Sequence, residues 1–174
     1  SRTNYLKVIK DLKLNIKVED LEEDENIDIS ITSEQTIPTE ERKLRLSFSE
    51  SKYALLDQDL KEIQVSNYGE QISYEGLDIT VNSSNLNEYR PINVSYRNAE
   101  RMYNFFKEQM QVSSNTSRNS FFRNEGLITI SYVTDNVELG KEIINYANSI
   151  FLNQRINDEN EKSRKAIGFI DTNI

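Results

Sequence analysis

Hydrophobic residues follow a helical spacing at the two ends of the chain and an alternating spacing in the middle. Near the N-terminus the spacing predicts a helix over 2–14, with one apolar face made of Tyr5, Val8, Ile9 and Leu12. Over 27–32, and again from 42 to 97, apolar and polar residues alternate, which is typical of strands with one buried face. A second helix is predicted from an N-cap at Asn98 to about Val112.

The alternating middle of the sequence predicts a meander of short antiparallel strands with polar outer faces. Turns are expected at 67–70, which contains Gly69, and at Glu75-Gly76. The apolar side of each strand is supplied mainly by Ile, Leu and Val, as in sheets that bury one face. The predicted strands are 27–32, 44–48, 52–56, 62–66, 77–81 and 92–96.

The last third of the chain predicts a strand followed by a long helix. The β-favouring run is 127–133, and Asp135 with Glu138 is typical of a capping box that begins a helix. A helix from 136 to about 172 would be roughly 55 Å long. Its first four turns carry a stripe that can be buried, made of Leu139, Ile143, Tyr146, Ala147, Ile150 and Phe151. Its later turns are polar, so we expect this part to project and to require a partner.

Residues 113–125 are rich in Ser, Asn and Arg and predict a loop. Phe121 and Phe122 interrupt this polar segment. If the two rings are exposed, they mark a contact surface. If the segment folds back, they fill part of the core. The core interpretation is favoured, because large aromatic side chains are usually buried.

These elements predict an α+β fold: a mainly antiparallel sheet packed by helices, with a long C-terminal helix projecting from the base. We expect the base to cover 1–134 and the long helix 135–174. The chain enters a helix almost at once and has no initiator Met, so we expect a segment of a longer protein whose final helix is truncated.

The composition excludes several kinds of catalytic and metal-binding site. The 174 residues include no His and no Cys, which excludes a Ser-His-Asp triad, a Cys-His dyad, a Cys/His zinc site and disulfides. The five glycines are scattered, so no Gly-rich phosphate loop can be written. We therefore predict no cofactor, no metal site and no catalytic residue in this segment.

The negative charge is concentrated in one segment. The net charge is -8, and seven acids without a base lie within 19–28. The remainder is nearly neutral, so a nucleic-acid interface is not expected. No apolar run approaches the roughly 20 residues that span a bilayer, so a membrane anchor would have to lie outside this segment.

The acidic segment was tested against the pattern of a calcium-binding loop. Asp24, Asn26, Asp28 and Ser30 recur at every second residue, but Ile29 stands where such a loop needs Gly. The twelfth position is Gln35 instead of a bidentate Glu. A solvated acidic loop followed by a half-buried strand explains the same residues better.

The segment from Gly126 to Ile170 resembles the conserved part of Wzz-type chain-length determinant proteins, also called polysaccharide co-polymerases. In that family a strand leads through an acidic cap into a helix with an aromatic, a polar passage and a final apolar run. The matching residues are Gly126, Ile128, Ile130, Ser131, Asp135, Ile144, Asn145, Phe151, Asn153, Gln154, Lys162, Ala166, Phe169 and Ile170. The start of the chain is similar to the family's short first helix, through Ser1-Arg2, Val8, Ile9, Leu12 and Leu14. The strand region is similar to the family's base-domain insert, through 44–48, Tyr53 and 74–81.

The resemblance implies a protein anchored in the bacterial inner membrane by two transmembrane helices outside this segment. Its periplasmic domain would form a ring-like homo-oligomer and regulate the chain length of O-antigen, capsule or exopolysaccharide. It would act together with a polymerase or export machinery and the growing polysaccharide, without catalysis. Some family members carry a tyrosine kinase with a phosphate loop, but the G-x-x-x-x-G-K-[ST] motif is absent from this sequence.

Three departures from the family pattern concern the helix. Gly140 replaces a usual Ala, Asp135-Asn136 replaces a frequent Asp-Pro, and Gly168 lies in the later turns. Each glycine is expected to cost about 1 kcal/mol relative to Ala in a helix interior.

Two other functions were weighed. A glycoside hydrolase needs only paired carboxylates, but the acids here lie in a loop or on amphipathic faces, without an apolar pocket to raise a pKa. A saccharide- or protein-binding surface module could use the nine Tyr, which are more simply explained as strand residues. The binding module is therefore the alternative to the scaffold.

Overall fold

A computed structural model describes residues 1–33, 41–115 and 127–172, and these ranges contain three helices and ten strands. The predicted α+β class, with antiparallel sheets and a long C-terminal helix, is confirmed. The elements are α1 (Arg2–Asp11), β1 (Ile16–Val18), β2 (Asn26–Ser33), β3 (Arg42–Phe48), β4 (Lys52–Leu56), β5 (Glu62–Asn67), β6 (Gln71–Tyr74), β7 (Leu77–Asn85), β8 (Ile92–Tyr96), α2 (Ala99–Gln109), β9 (Met110–Asn115), β10 (Leu127–Tyr132) and α3 (Val137–Thr172).

The chain divides into two compact units. The sandwich unit is Ile9–Met102, and the helix–hairpin unit combines Ser1–Val8 with Tyr103–Ile174. The sandwich unit holds β1 to β8, whereas the other holds the β9–β10 hairpin and α3. The division of the chain into a base over 1–134 and a projecting segment over 135–174 stays a prediction.

The sandwich unit contains two antiparallel sheets. The five-stranded sheet has the order β1-β8-β3-β4-β5, and the three-stranded sheet has the order β2-β7-β6. Only some strands pair with their neighbours in sequence. The predicted meander is present in β3-β4-β5, whereas β8 pairs with β1 and β3. The polar and apolar alternation of a strand does not reveal which sheet it joins, so the pattern alone suggested one meander.

The inner faces of the two sheets form one hydrophobic core. Leu44 pairs with Val94 and Leu46 with Ile92 on one face of β3 and β8, while Arg45 lies between them on the other face. This is the two-residue period of a strand. The core residues are Ile29, Ile31, Leu44, Leu46, Phe48, Tyr53, Leu55, Ile72, Leu77, Ile79, Val81, Ile92, Val94 and Tyr96.

Helix α1 ends earlier than predicted. Its pattern suggested 2–14, but the helix stops at Asp11 because Lys13 adopts a left-handed conformation with φ of 52°. The Leu14 amide then donates to the Ile9 carbonyl over 2.9 Å, and the Lys13 amide donates to Lys10 over 3.1 Å. These are the two bonds of a Schellman cap, which here forms without glycine.

Helix α2 begins as predicted and ends three residues early. The Asn98 side chain accepts a hydrogen bond from the Glu100 amide at 2.8 Å, which confirms it as the N-cap. The predicted extension to Val112 is wrong, because Met110 starts β9 and pairs with Tyr132 of β10. Tertiary pairing thus overrides the helical spacing. Within α2, Phe106 is buried, whereas Phe105 is 56% exposed.

The predicted loop over 113–125 is wrong at its start, since Ser113 to Asn115 belong to β9. This strand pairs with β10, where Asn115 lies opposite Leu127. Phe121 and Phe122 lie outside the described residues.

Helix α3 runs unbroken from Val137 to Thr172, a length of about 54 Å. Its N-cap is Asn136, whose side chain accepts from the Leu139 amide at 3.0 Å, so the predicted cap at Asp135 is wrong by one residue. All members of its predicted stripe, from Leu139 to Phe151, are buried or half-buried.

The structure explains why Gly140, the fourth residue of α3, is a glycine. Gly140 is buried, and a Cβ atom placed on it would lie 2.7 Å from the Thr134 Cγ2 methyl. The Thr134 hydroxyl is held by a hydrogen bond from the Asn136 amide at 3.1 Å, so this side chain cannot simply rotate away. Helix propensity favours Ala here, but the close approach requires Gly.

We expect Gly140→Ala to lower the free energy of unfolding by about 1–3 kcal/mol, as for other overpacked sites, despite the better helix propensity of Ala. Adding Thr134→Ser should restore most of the loss, since Ser keeps the hydroxyl and removes the methyl. Urea denaturation of the two single variants and the double variant measures this. A more stable Gly140→Ala protein would contradict the explanation.

Candidate functional site

A buried carboxylate organises the acidic loop. The Glu25 side chain is completely buried, although the sequence predicted a fully solvated loop here. Arg90 binds it through two hydrogen bonds, from Nη1 to Oε1 at 2.7 Å and from Nη2 to Oε2 at 2.6 Å. The expectation of a solvated loop is therefore wrong for Glu25, while Glu22, Glu23 and Asp24 are exposed as expected.

Backbone amides complete the Glu25 environment. The amides of Glu22 and Asn87 donate to its two oxygens at 3.0 and 2.8 Å. The Asn87 side chain in turn donates to Glu22 and Asp24, and Arg90 also donates to the Asp20 carbonyl. The loop before β2 and the loop between β7 and β8 are thus joined through one carboxylate.

This environment favours the ionised form of Glu25. The hydrogen bonds from Arg90, followed by those from the backbone, lower its pKa from an ordinary 4.5 to about 2. A general acid for glycoside hydrolysis needs the opposite shift, a pKa raised by an apolar pocket. The geometry therefore assigns Glu25 a structural role.

A second polar feature is an open groove on the sandwich unit. It has a volume of about 710 Å³ and is lined by the start of β3, the end of β4, the β6–β7 turn and the middle of β8. Lys43 and Arg45 of β3 lie opposite Ser95 and Asn93 of β8. An ion pair between Arg42 and Glu75, at 3.1 Å, also borders the groove. Its polar lining suits a hydrophilic ligand.

The third feature is the anchored start of α3 in the helix–hairpin unit. Tyr5 contacts three rings edge-on: Tyr103 at 5.8 Å, Phe106 at 6.2 Å and Phe151 at 5.9 Å between ring centroids. Burial raises the pKa of the Tyr5 hydroxyl. Asn4 adds a hydrogen bond to Gln154, one turn beyond Phe151. Residues of α1, α2 and α3 thus meet at one aromatic side chain.

Beyond this anchor α3 presents an exposed surface. Every residue from Ile156 to Ile167 is exposed. Leu152, Ile156 and Ile167 are 43%, 54% and 59% exposed and share one face, because four and eleven residues are close to whole turns of a helix. The opposite face carries charges, including the ion pair between Glu161 and Lys165 at 2.7 Å. Glu159 and Ser163 lie on the same face between Ile156 and Ile167, so the later turns of α3 are mainly polar, as predicted, and expose isolated apolar side chains.

The tyrosines serve mainly in packing. Tyr53 and Tyr96 are buried, and six of the others are half-buried, whereas Tyr89 is 61% exposed. The Tyr53 hydroxyl donates to backbone carbonyls of Glu70 and Ile79, at 2.6 and 2.9 Å. Four of the nine lie in strands, three lie in helices and two lie in connecting segments, so their interpretation as strand residues is wrong for five of them.

The calcium-loop pattern is not assembled into a site. Asp28 accepts from Lys13 at 2.5 Å and from Asn82 at 3.1 Å, while Ile29 lies in the core. In the described ranges no group of three or more acidic side chains is placed to hold a metal ion. Within the same ranges, none of the helices combines the length and apolar character needed to cross a membrane.

Sequence reasoning named no site residue, and it missed both the Glu25–Arg90 pair and the groove. The two members of the pair are 65 residues apart, and neither has a local pattern that marks it. In comparisons with known proteins, no family model matches the sequence and no curated protein matches it either.

The pKa of Glu25 predicts a stability that depends on pH. The folded state binds its proton less tightly than the unfolded state, so the pair contributes fully above about pH 4.5 and loses its contribution as the pH falls towards 2. We expect Glu25→Gln to be less stable than the parent near neutral pH, with the difference shrinking towards pH 2. Urea denaturation over this range measures it, and Glu23→Gln, at an exposed site in the same loop, is the control. A constant difference across the range would contradict the assignment.

The aromatic anchor gives a second expectation. Tyr5→Leu should lower the free energy of unfolding by about 1–3 kcal/mol, since it removes three edge-on ring contacts and part of a buried side chain. The same change at exposed Tyr89 should cost less than about 0.5 kcal/mol. Thermal or urea denaturation compares the two, and equal effects would show that Tyr5 is not an anchor.

Proposed function

We propose that this chain is the periplasmic domain of a polysaccharide co-polymerase, held at the inner membrane by segments outside the chain. It would act as a non-catalytic homo-oligomeric scaffold that regulates the chain length of O-antigen, capsule or exopolysaccharide together with the polymerase or export machinery. The sequence basis of this proposal is the resemblance of the segment from Gly126 to Ile170 to the co-polymerase family.

One observation supports the proposal above the others: α3 combines an anchored start with a long exposed end. Ile143 and Ala147 are fully buried in the helix–hairpin unit, whereas Ile156 and Ile167 are more than half exposed. A helix of this kind leaves apolar surface available to another molecule. In a scaffold that assembles from identical subunits, that molecule is a second copy of the chain.

The exposed end of α3 also allows the proposal to be tested without unfolding the chain. Leu152→Glu with Ile156→Glu changes two exposed side chains and should disturb contacts between subunits. Glu161→Lys with Lys165→Glu is the matched control, because it reverses an ion pair on the opposite face and preserves the i, i+4 spacing.

We expect cells that carry the Leu152→Glu, Ile156→Glu variant to make surface polysaccharide with a shorter or more dispersed length distribution. The control variant should give the parental distribution. Electrophoresis of surface polysaccharide from cells with each variant, and from cells in which the region encoding the segment is deleted in frame, measures this. An unchanged length distribution after the deletion would reject the proposed function.

A saccharide- or protein-binding surface module is the second candidate. The groove on the sandwich unit favours it, because a site with a mainly polar lining suits a hydrophilic ligand. The two functions differ in what they require: a scaffold needs contacts between subunits, whereas a binding module needs saturable binding by the isolated domain. A hydrolase has less support, since the buried carboxylate is held ionised by Arg90.

A further inference from the structure

Two cations of the groove lie side by side on the outer face of the five-stranded sheet. Lys43 and Arg45 are two residues apart on β3, so their side chains leave the same face. Their neighbours on β8 are Ser95, opposite Lys43, and Asn93, opposite Arg45. Lys17 of β1 lies on the other side of Ser95. Ser95 itself is buried, whereas Asn93 is half-buried, so three strands bring three cations and one accessible amide together.

The acidic groups of the groove are already engaged. Glu41 pairs with Arg97 at 3.3 Å, Glu75 with Arg42 at 3.1 Å, and Glu19 with Lys17 at 3.8 Å. Asp57 accepts hydrogen bonds from the amides of Asp59 and Lys61 at 2.8 and 2.9 Å. These four are the carboxylates that line the groove.

Lys43 and Arg45 differ from these groups, because no carboxylate in the described ranges lies within ion-pair distance of either. Arg45 donates from Nε to the Asn93 side-chain oxygen at 3.1 Å, which orients the guanidinium. Its two terminal nitrogens can then bind a carboxylate side by side, the geometry for which arginine is best suited. Lys43 is exposed, and its ammonium group is a second cationic donor beside the Arg45 guanidinium.

We propose that this groove binds a carboxylate-bearing sugar unit, with Arg45 and Lys43 holding the carboxylate and the half-buried Asn93 available to a sugar hydroxyl. The inference deepens the proposed function, on which it rests for the source of the ligand, by naming an acidic polysaccharide as the polymer. The net charge of the chain is -8, so general electrostatics would repel such a polymer, and binding requires a local site.

The test is calorimetric titration of the 174-residue chain with a short oligogalacturonate. The fully methyl-esterified oligomer is the matched probe, since it keeps the sugar backbone and removes the charge. We expect saturable binding of the acid form that weakens with added salt, and no saturable binding of the ester.

Variants locate the site. Lys43→Gln with Arg45→Gln should weaken binding by about tenfold or more, as expected when charge-assisted hydrogen bonds are lost. Lys52→Gln with Lys61→Gln removes the same charge at exposed residues that do not line the groove and should bind like the parent. If circular dichroism shows that the double variant folds poorly, Lys43→Gln alone, at an exposed residue, should still weaken binding to a smaller extent.

Three results would overturn the inference: no saturable binding of the acid oligomer, equal binding of the ester, or equal losses in the two double variants. A single-stranded oligonucleotide that binds the groove as tightly would also reject it, since the site would then recognise any polyanion. These results concern only the ligand. The proposed function is tested separately by the polysaccharide length distribution, which can change even if the groove binds no sugar.

Discussion

Mutual burial of the two sheets is the interaction on which the sandwich unit depends. Most strands have one apolar face, and neither sheet can remove that face from water without the other. Leu46, Ile72, Ile79 and Ile92 are fully buried where the inner faces meet. Because the inner face of β3 is committed to the core, Lys43 and Arg45 lie on its outer face.

The loops of this unit are held by charge as well as by apolar packing. Glu25 is sequestered from solvent, but its two oxygens receive hydrogen bonds from Arg90 and from backbone amides, so the cost of burying the carboxylate is offset. The acidic loop therefore contains one structural acid among exposed ones. Its exposed acids contribute the surface charge, whereas Glu25 joins the loop to the β7–β8 connection.

Helix α3 has two parts with different physical roles. Its first turns carry side chains that pack against α1 and β10, with Tyr5 contacting Phe151 and Gly140 allowing Thr134 to approach closely. Its later turns are stabilised by ion pairs along the helix, such as Arg155 with Glu159, and expose isolated apolar side chains. A helix that begins in a core and ends fully exposed suits a molecule that works by assembly.

The sequence alone determined the elements whose pattern is local. Alternation identified most strands of the sandwich, and the stripe of α3 and the Asn98 cap were readable because their partners lie within a few residues. Tertiary structure decided the rest: the division of strands between two sheets, the end of α2 at Gln109, and the meeting of Glu25 with Arg90. These features join residues tens of positions apart, and their energies come from burial and pairing that no local spacing records. Lys43 and Arg45 were likewise ordinary strand residues until the fold set them beside Asn93 and Ser95, with three of the four acids that line the groove paired with other cations.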